Sequence, residues 1–212
     1  MATLTSEVRT NGRSVANDNA HVALALRSEN AGSEQPAFSP CGLRLRPIEP
    51  EDAPALQDAF EHLSPLSRYY RFHAGMAHLP DDLLRKLTMV DGVNHVALVA
   101  IEKCPEERGA GVGVARFVRV ADAPDTAEIA VTVIERAQGH GVARRLLAAL
   151  APLARERGII TFTMHVLAGN QRVRRMAKAM GAVARSSEAG VIAFAVPVDA
   201  LDGHGPTPSQ AA

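Results

Sequence analysis

The chain has 212 residues, a length that suits one sizeable folded domain better than two. Its 23 Lys and Arg residues balance its 23 Asp and Glu residues, so the formal net charge is zero. This balance argues against a nucleic-acid or membrane-surface binder, which needs an excess of one charge. Hydrophobic residues make up 47% of the chain and charged residues 22%, as in ordinary globular domains. Aromatic residues make up 4%, with no Trp, so stacking on nucleic-acid bases is not indicated.

The cysteines and histidines do not suggest a metal site or a disulfide framework. Cys41 and Cys104 lack paired spacing, and the eight histidines show no ligand motif such as HExxH. No apolar run approaches the roughly 18 residues of a membrane-spanning helix. The short apolar patch at 22–26 follows Asn and Asp, not the basic start of a secretory signal. The sequence therefore predicts a cytoplasmic protein without a bound metal.

The chain divides into a leader, one domain and a tail. Residues 1–40 are rich in Ser, Asn, Thr, Ala and Glu without sustained periodicity, which predicts a mobile leader. The tail at 203–212 is equally featureless. The hydrophobic patterning of a folded domain spans 42–200.

The first half of the domain begins with a strand, continues with helices and returns to strands. Pro47 ends the first strand, and Glu51 and Asp52 open a helix, since acidic side chains favour a helix N-terminus. The remaining elements are a strand at 43–46, helices at 67–72 and 83–90, and strands at 95–102, 112–120 and 128–134. Short turn-prone connections such as 121–125 predict that these last three strands form an antiparallel meander.

The second half alternates helices and strands. An amphipathic helix is predicted from Gly139 to about Arg157, where Gly158 ends it. A strand at 159–166, a helix at 171–180 and strands at 183–185 and 190–196 follow. This order predicts the α/β class, with a mixed, mostly antiparallel sheet flanked by helices.

The most informative segment, residues 128–143, joins a buried strand to an amphipathic helix through a glycine-rich turn. Unpaired N–H groups at a helix start and the helix dipole both favour an anion. The small residues Gly139, Gly141 and Ala143 would let phosphate oxygens come close. The turn matches neither the dinucleotide-binding GxGxxG pattern nor a P-loop. We interpret it as a phosphate site, with a plain tight turn as the alternative.

The hexapeptide Gln138-Gly-His-Gly-Val-Ala143 resembles the Gln/Arg-x-x-Gly-x-Gly/Ala pyrophosphate loop of the GNAT acyl-CoA N-acyltransferase superfamily. The element order over 42–200 is also similar. The resemblance implies a GNAT-like fold with splayed central strands, opened by a bulge in the strand before the loop. It implies acetyl-CoA as co-substrate, with its pyrophosphate on the loop and its pantetheine along that strand. The cofactor contacts thus predicted are Val131, Thr132, Val133, Gln138, Gly139, His140, Gly141, Val142, Ala143, Arg144 and Asn170.

A narrower resemblance is to the GNAT domain of bacterial protein lysine acetyltransferases. It is carried by segments 45–57, 63–72, 83–88 and 127–131, and by the helix at 170–181. That helix is similar to the family pattern Asn-Arg-x-Met-x-x-Leu-Ala-x-x-Leu-Gly. Arg174 and Ala182 depart from it, standing where Leu and Phe are expected, and no acyl-CoA-synthetase-like or cyclic-nucleotide domain is recognisable in the sequence. The resemblance implies a protein lysine as acceptor.

Transfer to an amine needs a proton acceptor. A lysine ammonium with a pKa near 10.4 is free base in only about one molecule in a few thousand at pH 7, so a carboxylate able to take its proton is valuable. The resemblance places this base at Glu128, with a salt-bridged rim carboxylate as the alternative. In many GNAT enzymes a Tyr at the position of Ala177 donates a proton to the departing thiolate. Here the thiolate would leave without a proton or would take one from water. His165 is either a helper in proton transfer or a structural histidine.

Three further features have two interpretations. Asn170 is either a cofactor contact or a plain helix N-cap. The basic residues of the last helix either meet an anion, which is the 3′-phosphate of the cofactor or an acidic partner, or form a solvated face; they are Arg172, Arg174, Arg175 and Lys178. Residues 67–72 line the acceptor side of the cleft, or else Tyr69 and Phe72 anchor the core.

The sequence thus predicts an N-acetyltransferase that moves an acetyl group from acetyl-CoA directly to an amine. The favoured acceptor is a protein lysine side chain. A small amine such as a polyamine, amino acid or drug is the alternative acceptor, and a non-catalytic acyl-CoA-binding module is the alternative class. No nucleic acid or membrane is expected as a partner. An exposed sheet edge beside the splay would suit a homodimer, which the sequence leaves open.

Overall fold

The computed structural model describes residues 42–72, 76–102 and 111–201, and the predicted leader and tail lie outside these ranges. The described chain forms one seven-stranded sheet in the order β1-β2-β3-β4-β5-β7-β6. Its strands are β1 (Leu43–Pro47), β2 (His95–Glu102), β3 (Gly111–Val120), β4 (Ala123–Val133), β5 (Thr161–Leu167), β6 (Val183–Glu188) and β7 (Val191–Pro197). Its helices are α1 (Ala53–Glu61), α2 (Pro65–Phe72), α3 (Asp81–Thr88), α4 (Val142–Glu156) and α5 (Gln171–Ala179).

The predicted order of elements and the antiparallel meander are confirmed. Neighbouring strands from β1 to β4 pair antiparallel, and so do β5 with β7 and β7 with β6. In the described sheet only β4 and β5 are parallel. A parallel pair needs a crossover connection, which α4 supplies. The parallel pair of the described sheet therefore lies near its centre.

Several boundaries differ from the prediction by up to five residues, and two of these differences have a clear local reason. The helix α4 begins at Val142 and not at Gly139, because Gly139 and Gly141 have φ values of 83° and 78°, outside the right-handed helical region. The strand β4 begins five residues earlier than expected, at Ala123. The reason is that Ala123 already pairs with Val120, so the turn shrinks to residues 121–122.

The helices form two layers on opposite faces of the sheet. Leu146 and Leu150 of α4 and Val173 of α5 join the main core with the side chains of Ile129 and Val131 from β4. Because side chains alternate along a strand, Glu128, Ala130 and Thr132 point to the other face. The helices α1, α2 and α3 cover that face over the β1–β4 half, around a second set of apolar residues: Phe60, Leu63, Leu79 and Leu87.

The central strands separate after three residue pairs. β4 pairs with β5 only at Thr126↔Thr161, Ala127↔Phe162 and Glu128↔Thr163. Beyond Glu128, β4 stays paired with β3 to Val133, and β5 stays paired with β7 to Leu167. The sheet therefore consists of two continuous halves that part at Glu128, and the predicted splay is confirmed.

The expected bulge lies before the separation of the strands and not along the open edge. The β3–β4 register runs without a shift from Ala127 to Val133, and its irregularity lies earlier, where Arg119 pairs with Ala127 but Val120 pairs with Ala123, which leaves residues 124–126 of β4 unpaired with β3. The opening needs no bulge, because each half of the sheet keeps its own strand partner.

Candidate active site

The loop before α4 presents backbone donors. Gly141 is the N-cap of α4, and no side chain caps the helix. The first N–H groups of a helix have no acceptor within it, so those of Val142 and Ala143 point out of the N-terminus. A Cβ on Gly141 would meet no atom within 4 Å, so its positive φ, not crowding, requires glycine. His140 and Arg144 are exposed at the same end of the helix. This geometry suits an anion.

Gln138 supports the loop from inside. Its backbone N–H donates to the carbonyl of Glu135 at 3.1 Å, and its side-chain Nε2 donates to the carbonyl of Val133 at 2.8 Å. The side chain is buried. The side-chain amide has a second N–H and an oxygen, so the cofactor contact of Gln138 stays a prediction. The residue ties the glycine turn to the end of β4.

The strand β4 offers one backbone edge to the cleft. Its pairing with β5 ends at Glu128, so the edge at Val131, Thr132 and Val133 that faces β5 has no strand beside it in the described sheet. Such an edge accepts an extended ligand by main-chain hydrogen bonds. The predicted pantetheine contacts therefore lie between the glycine turn and the point where the strands separate.

Glu128 and His165 meet where the sheet opens. Glu128 is the last residue of β4 paired with β5, and His165 follows its partner Thr163 by two positions on the same face. Their Oε1 and Nδ1 atoms are 3.4 Å apart. The adjacent Glu128 carboxylate raises the pKa of His165, and burial partly offsets this effect. Glu128 is only 7% exposed, whereas His165 is partly open to solvent.

The helix α2 forms the opposite wall of the cleft. Arg71 donates through Nε to Thr132 Oγ1 at 2.7 Å, which holds α2 against β4. The Tyr70 hydroxyl lies 3.8 Å from the place that a Cβ on Gly169 would occupy, so its side chain reaches from α2 to the loop after β5. Tyr69 is 45% exposed. Phe72 packs edge-on against Phe60 with ring centroids 5.3 Å apart, so of the two interpretations it anchors the core.

The start of α5 approaches the glycine turn. Asn170 accepts a hydrogen bond at Oδ1 from the Val173 N–H at 3.2 Å, which confirms the N-cap interpretation and leaves its cofactor contact a prediction. The Arg172 Nη2 atom lies 3.8 Å from the Cβ position on Gly139. Arg174, which replaces the expected Leu, donates to the carbonyl of Ala168 at 2.9 Å and so stabilises the turn before α5.

The sequence did not reveal two polar residues that lie between the helical layer and the sheet, His95 and Arg116, and it placed Tyr70 and Arg71 only within the segment 67–72 beside the acceptor cleft. Their partners are far away in the chain, so local patterns could not pair them. One signal was present, because Arg116 interrupts the apolar run of β3 at a buried position.

Two other kinds of site are absent from the described residues. Ranges 42–72, 76–102 and 111–201 contain no group of three or more His, Cys, Asp or Glu side chains arranged to hold a metal ion. Within the same ranges, no helix is both long and apolar enough to cross a bilayer.

Comparisons with known proteins agree with this geometry. Residues 42–183 match the family model described as "Acetyltransferase (GNAT) domain". Acetyltransferase Pat from Mycolicibacterium smegmatis is 31% identical over 158 residues, which cover 74% of this chain and 46% of that protein. The chain thus spans about half the length of this curated relative.

Two solved structures are similar as well. The crystal structure of the GNAT domain of S. lividans PAT matches with a TM-score of 0.66 and 34% identity, over 73% of this chain and 90% of that chain. The spermidine N-acetyltransferase from Vibrio cholerae, solved in complex with CoA and spermine, matches with a TM-score of 0.59 and 15% identity, over 75% and 97% of the two chains. At that identity the second likeness shows the fold. The splayed sheet, the glycine turn before α4 and the family match together establish that the chain belongs to the GNAT acetyltransferase family.

Proposed function

We propose that this protein is an N-acetyltransferase that moves the acetyl group of acetyl-CoA to a primary amine, with a protein lysine side chain as the favoured acceptor. One observation carries the proposal. The central strands separate at a buried carboxylate, Glu128, and the opening leads to an uncapped helix N-terminus with two left-handed glycines. A donor with an anionic end and an extended arm fits this opening.

The donor would bind in two parts. Its pyrophosphate would accept hydrogen bonds from the N–H groups at the start of α4, and Arg172 would add positive charge from α5. Its pantetheine arm would pair with the unpaired edge of β4 at Val131 and Val133. The thioester would then lie near Glu128. An N–H group of this β4 edge near Val133 would stabilise the oxyanion of the tetrahedral intermediate.

Glu128 would act as the general base. The acceptor amine loses a proton and its nitrogen attacks the thioester carbonyl, so a C–N bond forms and the C–S bond breaks. Glu128 would take the proton, directly or through one water molecule. His165 contacts this carboxylate and is more exposed, so it would pass the proton on to solvent.

Tyr70 would return a proton to the departing thiolate. The position used by many related enzymes is Ala177 here, and Ala177 is buried in the core. The Tyr70 hydroxyl instead reaches the loop after β5 at the open end of the cleft. A CoA thiol with a pKa near 8.5 is a tolerable leaving group, so this assistance would be modest.

Two observations support a protein acceptor. On the face of β5 that carries His165, the side chains of Thr163 and His165 are only half-buried, so a bulky acceptor has room beside Glu128. The sequence also resembles the GNAT domain of bacterial protein lysine acetyltransferases along most of the domain. The alternative, a small amine, would need little of this open face.

The first test is a calorimetric titration with acetyl-CoA, with ATP as the control ligand. We expect a micromolar dissociation constant for acetyl-CoA, which is about −8 kcal/mol, and no heat from ATP. An absent response to acetyl-CoA, in heat and in thermal shift, would refute the donor site. An acceptor screen that starts from lysine-bearing proteins and includes polyamines and amino acids then separates the two acceptor classes.

The base is tested by Glu128→Gln, which keeps the shape of the side chain and removes its charge. We expect unchanged acetyl-CoA affinity and a kcat lower by about 10² to 10⁴. Glu102→Gln is the matched control, because Glu102 is also buried but its carboxylate pairs with Arg136, at 2.7 Å, and not with His165. Equal turnover by Glu128→Gln and the wild type would remove Glu128 from the mechanism.

A further inference from the structure

A second cavity adjoins the proposed active site on the face covered by α1, α2 and α3. Its volume is about 120 Å³, and most of its wall is apolar, with Phe60, Leu63 and Val99 among the lining residues. Thr132 of β4, which also lies on the pantetheine edge, forms part of the wall. A cavity of about 150 Å³ holds a benzene ring, so this one suits a group of about five non-hydrogen atoms.

Two buried arginines line this apolar cavity. Arg71 and Arg116 are each only 3% exposed. Nε of Arg71 donates to Thr132 Oγ1, and Nη1 of Arg71 is buried without an acceptor among the described residues. Nη1 of Arg116 donates to the Leu87 carbonyl at 3.0 Å and to His95 Nε2 at 3.1 Å. Its Nε and Nη2 have no acceptor among the described residues.

The positive charge here is not balanced by a carboxylate of the wall. The acidic residue that lines the described cavity is Asp52, and both of its oxygens bind Arg46 at 2.7 and 2.6 Å. Burial, the charge of Arg116 and the charge of Glu128 act on the pKa of Arg71: the first two lower it and Glu128 raises it. Burial also lowers the pKa of Arg116, to about 10. With a pKa of about 10, Arg116 stays charged at neutral pH.

Buried guanidinium groups are costly unless an anion meets them. A guanidinium presents a planar fork of donors that matches a carboxylate. We propose that Arg71 and Arg116 form a carboxylate-binding subsite, which receives a carboxylate carried by one of the two substrates of the transfer. The subsite adjoins the thioester position through Thr132, so two sources are possible: the acyl chain of a dicarboxylic acyl-CoA, or an acceptor amine that also bears a carboxylate. The inference rests on the proposed acyl transfer.

The first experiment needs no CoA and no variant. Thermal unfolding of the wild-type chain is measured with propionate and butyrate, and with the neutral propionamide and butyramide, at constant ionic strength. We expect the acids to raise the melting temperature and the amides not to. Equal shifts from acids and amides would overturn the subsite. A failure of acetyl-CoA to bind would instead refute the proposed function, so the two failures are distinguishable.

The second experiment identifies the source by two comparisons of kcat/KM. One uses succinyl-CoA against butyryl-CoA with a fixed amine, and the other uses γ-aminobutyrate against butylamine with acetyl-CoA. We expect the carboxylate to be preferred by at least about tenfold in one comparison. A preference in the first assigns the subsite to the acyl chain and one in the second to the acceptor, whereas a preference in neither would overturn the inference.

Substitutions then assign the preference to the arginines. Arg71→Met should abolish the preference for the substrate that bears a carboxylate. Arg71→Lys should keep only part of this preference, because lysine keeps the charge but lacks the planar fork. Arg85→Met is the matched control, since Arg85 on α3 is exposed and lies outside the cavity wall. An unchanged preference in Arg71→Met would contradict the assignment. Where Arg71→Met does not fold, the wild-type comparison of acids with amides decides.

Discussion

At the scale of single residues, the cleft depends on which of two adjacent tyrosines faces it. Tyr70 reaches the loop after β5, whereas Tyr69 is 45% exposed on the outside of α2. If the Tyr70 hydroxyl protonates the departing thiolate, we expect Tyr70→Phe to lower kcat by about tenfold, a modest effect because the thiol is acidic. The measurement is steady-state turnover at saturating acetyl-CoA and acceptor.

Tyr69→Phe is the control for this prediction, because it removes the same atom one residue away. Its kcat should equal that of the wild type. If both variants turn over at the wild-type rate, the thiolate leaves unprotonated or through water, as the sequence first suggested.

At the scale of secondary-structure elements, the contact of α4 with the sheet requires a glycine in β3. A Cβ on Gly113 would lie 3.0 Å from the Thr132 carbonyl oxygen and 3.3 Å from Leu146 of α4. The backbone of β4 cannot move without disturbing the edge proposed to bind pantetheine. We therefore expect Gly113→Ala to lower the free energy of unfolding by about 1 to 3 kcal/mol, measured by urea denaturation.

Gly111→Ala supplies the comparison on the same strand. A Cβ on Gly111 would meet no atom within 4 Å, and neither glycine has a positive φ. That variant should keep or slightly raise stability, since alanine restricts the unfolded chain. Similar losses in both variants would show that strand propensity, and not the packing of α4, controls the effect.

At the scale of the whole molecule, one hydrogen-bonded group joins the helical layer to the sheet and makes stability depend on pH. Arg116 of β3 donates to the Leu87 carbonyl in α3 and to Nε2 of His95 in β2. A guanidinium only donates, so Nε2 must accept and the imidazole must be neutral. Burial, followed by the charge of Arg116, lowers the pKa of His95 to about 4.

The sign of the pH dependence follows from this neutral histidine. Between about pH 6.5 and pH 4, His95 binds a proton in the unfolded chain but not in the folded chain, so stability falls as the pH falls. The wild type should lose about 3 kcal/mol more than His95→Gln over this range, because glutamine still accepts from Arg116 but does not titrate. Urea unfolding at pH 7 and pH 4 measures the difference.

The exposed His62 gives the control for this prediction. His62→Gln removes an imidazole that lies on the surface of the helical layer. Its free energy of unfolding should fall between pH 7 and pH 4 by as much as that of the wild type. If the wild type and His95→Gln lose the same stability between pH 7 and pH 4, groups other than His95 cause the loss. His165 acts in the opposite sense, since its raised pKa adds stability that is lost as the pH rises through it.

The sequence by itself determined the elements, their order and the glycine turn. Apolar periodicity marks each strand and helix, and Gly139 and Gly141 take a backbone conformation that glycine adopts readily. These are properties of a few neighbouring residues, so they can be read without the fold. The exact start of α4 and of β4 was misjudged, because local patterns do not show where a hydrogen bond across a turn begins.

Only the tertiary structure decided which side chains meet. The separation of β4 from β5 at Glu128 depends on each strand keeping a different partner, a long-range choice that no local pattern encodes. Arg71 reaches Thr132 from 61 residues away, and His165 reaches Glu128 from the neighbouring strand. Register and layer packing create these contacts, because hydrogen bonds and charges act between atoms brought together by folding, whatever their distance along the chain.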